Sequence, residues 1–137
     1  MSNPITPKLV QGSVGELLVQ IRLLQFDVQA APPLKDSGND LIAVRALSLK
    51  TIQVKTVAGK TYSVKDLPEF YDLLAVVQLV GENAMLRLDR SRVFLIPKHR
   101  VREAPRQIKR LNDFALSREH VDDLFGARHL VHYGQVT

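Results

Sequence analysis

The stretch Thr51-Ile52-Gln53-Val54-Lys55-Thr56-Val57, read with Gly38-Asn39-Asp40-Leu41-Ile42-Ala43-Val44 just before it, decides how this chain folds. Both segments are rich in β-branched residues and edged by Gly and Ser, which marks short strands. Residues two apart on a strand share a face, so Gln53 and Lys55 point one way and Ile52 and Val54 the other. Val57 is grouped with the apolar pair on hydrophobicity alone. If the two strands pair through a turn near residues 48–50, Asp40 stands opposite Gln53 and Lys55. An acid, an amide and a lysine then share one cluster, the side-chain set that a metal-assisted hydrolase uses. Taken singly, Asp40 after Gly38-Asn39 also suits a turn, and alternating Gln and Lys suit a solvated edge strand.

Working outward, residues 1–11 hold two prolines and few apolar side chains and are expected to form a flexible arm. Ser13 reads as a helix cap with Glu16 at the capping-box position, ahead of Leu17, Leu18, Ile21, Leu23 and Leu24 at helical spacing. The expected helix runs from Ser13 to Phe26. Further strands are expected near residues 27–31, 40–47, 51–57, 71–80 and 92–96, because the last two runs are continuously apolar and of strand length. Gly59-Lys60-Thr61 resembles the end of a phosphate-binding loop, but the position that requires glycine is Val54, which excludes that reading.

From Lys98 the character changes to basic. Residues 104–115 are expected to form a helix starting near Pro105, and Ser117 to cap a second one that Gly126 ends. Arg100, Arg102, Arg106, Lys109 and Arg110 form either a phosphate-binding face or a solvated helix surface. His120, His129 and His132 number enough for a zinc site but lack any cysteine partner, and read as surface or packing residues.

The 137 residues suffice for one domain, and with no cysteine there is neither a disulfide framework nor a thiolate metal site. A serine or cysteine nucleophile is unsupported for the same reason and because no serine sits in a nucleophile-elbow context. Residues 1–7 lack the basic start and apolar run of a signal peptide, and no run approaches a membrane span, so a cytoplasmic location and no membrane partner are expected. The net charge of +5 favours a polyanionic partner.

Glu16, Asp40 and Gln53-Val54-Lys55, carried on a helix and two following strands, resemble the PD-(D/E)xK nuclease superfamily in the variant where Gln replaces the second acid. The runs 71–77 and 93–97 further resemble its small intron-encoded or Holliday-resolvase-like members, so the resemblance covers roughly residues 12–97. It implies an α/β, three-layer restriction-endonuclease-like fold: a mixed five-stranded sheet with an N-terminal helix, a nuclease-like core over 12–97, and a basic, partly helical extension over 98–137. It also implies a Mg²⁺- or Mn²⁺-dependent endonuclease acting on duplex or branched DNA, as a possible homodimer. Asp40, Gln53, Lys55 and Glu16 would be catalytic, and Asp40, Gln53, Glu16 and the carbonyl of Val54 would hold the metal. The alternatives are a non-catalytic nucleic-acid-binding subunit on the same fold and a protein-interaction module.

Overall fold

The computed structural model describes residues 6–35 and 38–126. Helix α1 spans Pro7–Leu24 and starts two turns before Ser13. Thr6 is its cap, accepting from the Leu9 N–H at 3.2 Å, and Pro7 fills the first helical position, where its missing N–H costs nothing. The expected arm is therefore helical from Pro7 onward, and Ser13 lies inside the helix. Glu16 is thereby released from a capping role.

After α1 come β1 (Gln29–Ala31), β2 (Leu41–Arg45), β3 (Ser48–Val57), β4 (Leu73–Gln78), a two-stranded ribbon of β5 (Gly81–Glu82) and β6 (Met85–Leu86), and β7 (Arg92–Pro97). The main sheet has the order β1-β2-β3-β4-β7. The β3–β4 pair is parallel and the other neighbours are antiparallel. The mixed five-stranded sheet with its N-terminal helix is thus present, each main strand falling within or near its expected range. The parallel crossover, residues 58–72, contains no helix.

Alternation along β3 divides the core into two clusters. Ile52 and Val54 join Leu18, Val19 and Leu23 of α1, together with Leu73, Ala75 and Val77 of β4. On the other face Leu74, Val76, Phe94 and Ile96 gather, and Val57 packs there, as strict alternation requires and contrary to its expected grouping. Gly15 lets α1 approach the sheet closely: a Cβ at that position would stand 1.9 Å from Thr56 Oγ1.

The second cluster is completed by the C-terminal region, with Val101, Ala104, Ile108, Leu111 and Phe114 buried in it. These residues sit on α2 (Lys98–Val101) and two 3₁₀ turns, Ile108–Arg110 and Asn112–Phe114, rather than on the expected helix. The reason lies in the backbone hydrogen bonds. Ile108 N–H donates to Lys60 O at 2.9 Å and Tyr62 N–H to Arg106 O at 3.2 Å, which ties the segment to the crossover loop. Helix α3 (Arg118–Phe125), capped by Ser117 as expected, returns to the first cluster with Val121 and Phe125. Residues 98–126 therefore form part of the folded core. Among the described residues no helix is long and apolar enough to cross a membrane.

Candidate functional site

The site begins where β2 and β3 stop pairing. The ladder ends with Leu41 opposite Ile52, yet the Asp40 N–H also donates to Ile52 O at 3.1 Å. Two consecutive residues thus face one, the arrangement of a β-bulge, which re-aims the extra side chain. Asp40 Oδ2 accepts from the Val54 N–H at 2.8 Å, a donor that β2 no longer reaches. The carboxylate is fixed by backbone geometry at the mouth of the gap between the strands.

Glu16 approaches the same gap from α1. Burial, and then the negative charge of Asp40, hold its carboxyl above its ordinary value. Together with Gln53, Val54 and Thr56, these acids line a cleft of about 300 Å³ whose remaining wall is Lys8, Gln11 and Gly12 of α1. Gln53 Oε1 is buried without a hydrogen-bond partner, and so is Oδ1 of Asn39, the neighbour of Asp40. An unpaired buried acceptor costs about 1–3 kcal/mol. The end of the sheet that carries Asp40 therefore holds two buried oxygens that no described residue satisfies.

The structure thus brings together Glu16, Asp40, Gln53 and Val54. Lys55 is not in the cleft wall: its Nζ donates to Lys65 O at 3.1 Å on the crossover loop. It keeps the face of Gln53 and lies one strand step beyond it, on a long flexible stem. Among the described residues no group of three or more His, Cys, Asp or Glu side chains gathers to hold a metal. The cleft instead offers two carboxylates, an amide oxygen and a backbone carbonyl, a hard-oxygen set suited to Mg²⁺ rather than zinc. His120 Nε2 donates to Leu95 O at 2.7 Å, which makes it a packing residue, while His129 and His132 lie outside the described residues.

The basic stretch divides. Arg106 is drawn inward: its Nη1 donates to Val101 O at 2.9 Å and Ala104 O at 2.7 Å, and its guanidinium lies 5.4 Å from the centre of the Tyr62 ring. It ties down the C-terminal loop, and so differs from the other cations with which it was grouped as a phosphate contact. Arg100, Arg102, Lys109 and Arg110 are exposed. Arg102 shares a depression with Lys50, Lys98 and His99, and Lys109 another with Lys60 and Arg92. Lys50, Lys60 and Arg92 were not grouped with the basic run because they are distant from it along the chain. Lys8 and Gln11 were hidden by the assumption of an arm, although Thr6-Pro7 is itself a cap signal.

No protein-family model and no curated protein matches the chain. Among solved structures, a bacterial homing endonuclease, I-Ssp6803I, aligns with a TM-score of 0.46 and 19% identity. The alignment covers 67% of this chain and 65% of that one.

Proposed function

We propose that the chain is a divalent-metal-dependent endonuclease that hydrolyses DNA phosphodiester bonds at the Glu16–Asp40–Gln53 cleft. The observation that carries this reading is the small cleft that Glu16, Asp40 and Gln53 line together, with Gln53 Oε1 buried and unpartnered among the described residues. A hard cation would neutralise the two carboxylates and would suit an amide oxygen as a further ligand. Asp40, Glu16, Gln53 and the Val54 carbonyl would hold it, leaving positions for water and phosphate, as Mg²⁺ and Mn²⁺ prefer. When bound, such an ion supplies Lewis acidity toward the phosphate and lowers the pKa of a bound water.

The chain's own contribution is positioning. Asp40 is held by the Val54 N–H, so its carboxylate cannot follow a moving ligand. Lys55 gives up an exposed bond to Lys65 O and donates to the phosphate oxygen on which charge develops. A water oxygen attacks phosphorus, the bond to the leaving sugar oxygen breaks, that oxygen takes up a proton from solvent to become a hydroxyl, and the proton lost by the attacking water passes to solvent. Exposed Arg100, Arg102, Lys109 and Arg110 would hold the flanking backbone. A homodimer that offers one cleft to each strand belongs to the same proposal.

The bond from Lys55 to Lys65 favours a second reading, a nucleic-acid-binding subunit whose site no longer cuts. Cleavage of linear, supercoiled and four-way-junction DNA with Mg²⁺, Mn²⁺ or EDTA decides between them. The nuclease reading expects metal-dependent product, a loss of about 10²–10³-fold in Lys55→Ala with binding retained, and tighter Mg²⁺ binding in Gln53→Glu. DNA binding without product in any metal would establish the second reading.

A further inference from the structure

One wall of the cleft has no part in the motif or in the chemistry above. Lys8, Gln11 and Gly12 line it beside Glu16. Positions 8, 11, 12 and 16 fall on one face of α1. That face carries no apolar side chain and contains Lys8, the α1 cation that lines the cleft with the two acids. Lys8 is exposed, and among the described residues no hydrogen bond or ion pair engages its ammonium, whereas that of Lys55 is bonded to Lys65. Gly12 is open: a Cβ there would meet nothing within 4 Å. Gly15, by contrast, is filled by Thr56, so the two glycines serve different ends. One admits the sheet and the other leaves clearance over the cleft.

Two carboxylates repel an arriving phosphodiester, and a cation at the rim offsets that repulsion. We propose that Lys8 holds a phosphate of a polyanionic substrate at the mouth of the cleft, with the Gln11 amide as a second donor and Gly12 as the clearance through which the backbone passes. Lys8 is a positioning residue, because it orients the strand without touching the reacting atoms. The inference rests on the nuclease reading only for the identity of the polyanion.

The test uses the whole chain and fluorescein-labelled duplex DNA in EDTA, with binding measured against salt and cleavage measured separately in Mg²⁺. Lys8→Ala is expected to weaken binding roughly eightfold near 0.1 M salt and to lower the slope of log K against log salt by about 0.9, the share of one phosphate. Lys8→Arg should keep both. Gly12→Leu should weaken binding while its unfolding midpoint holds or rises, since leucine favours a helix over glycine. A slope unchanged in Lys8→Ala, or a failure of Lys8→Arg to restore it, overturns the inference. If wild type cuts while the slope is unmoved, the nuclease reading stands and the role of Lys8 falls. If nothing is cut but the slope drops, the reverse holds, and a wild type that neither binds nor cuts overturns both.

Discussion

The cleft and the C-terminal wrap treat polar groups in opposite ways. In the wrap, Tyr62 Oη donates to Pro105 O at 2.8 Å, Arg106 serves two further carbonyls, and the backbone of the crossover pairs with that of residues 106–108. In the cleft, two carboxylates line one space in which Asp40 helps raise the Glu16 carboxyl, and Gln53 Oε1 is buried without a partner among the described residues. Both lie at the same sheet, so the contrast does not come from a poorly packed region. Unmet hydrogen bonding is tolerated where a ligand completes it, and stability is stored elsewhere.

The sharpest way to break this comparison is to attack the wrap. Leu111 is fully buried, so Leu111→Ala should cost about 2–5 kcal/mol, read as a lower urea midpoint. A loss under about 0.5 kcal/mol, the range of surface substitutions, would return residues 98–126 to the status of an appendage. The sequence concealed their role for a specific reason. Val101, Ala104, Ile108 and Leu111 recur at helical spacing among cations, so the run resembles a solvated basic helix. Its buried face is instead matched by loop 58–72, the Ile108 N–H goes to Lys60 O, and Arg106 O accepts from the Tyr62 N–H. Such pairing between distant segments leaves no local signature.

The strands were legible because β-branched runs and alternation are local; Asp40 and Gln53 were singled out on them, and Glu16 from the helix that precedes them. Two features were not. The bulge at Asp40 shifts the alternation by one residue, which no periodicity reveals, and Gly12-Ser13-x-Gly15 reads as a helix start although it lies mid-helix. Thr56, packed against Gly15, supplies the reason for the second glycine.

A smaller effect separates cations that build from cations that bind. Arg106→Ala should cost about 1–3 kcal/mol, because carbonyls of Val101 and Ala104 lose their donor, and should leave the salt dependence of DNA binding unchanged. Exposed Arg102→Ala should stay within about 0.5 kcal/mol of wild type and lower the salt slope by about one. Urea unfolding and binding titrations on the same two proteins check both. A reversed pattern would mean that the wrap, and not the exposed rim, meets the polyanion.

The smallest effect concerns the electrostatics of the cleft itself. Burial and Asp40 raise the Glu16 carboxyl above its ordinary value of 4.5, so between 4.5 and its folded-state value the folded chain binds more protons than the unfolded one. Stability then falls as pH rises through that window. The favourable contribution is fully present below 4.5 and lost once the folded carboxyl ionises. Glu16→Gln has no such proton, so the difference in unfolding free energy between variant and wild type should shift in the variant's favour as pH climbs from below 4.5 toward neutrality, then level off. Because Asp40 is the second cause, the same comparison made in an Asp40→Asn background should show a narrower window. Adding Mg²⁺ at neutral pH should narrow the gap from the other side, since a bound cation favours the charged carboxylate and stabilises the folded form that holds it. A difference that is flat with pH would mean that the two acids do not share the cleft electrostatically. A pH-dependent difference that ignores Mg²⁺ would keep the repulsion and remove the cation proposed to relieve it.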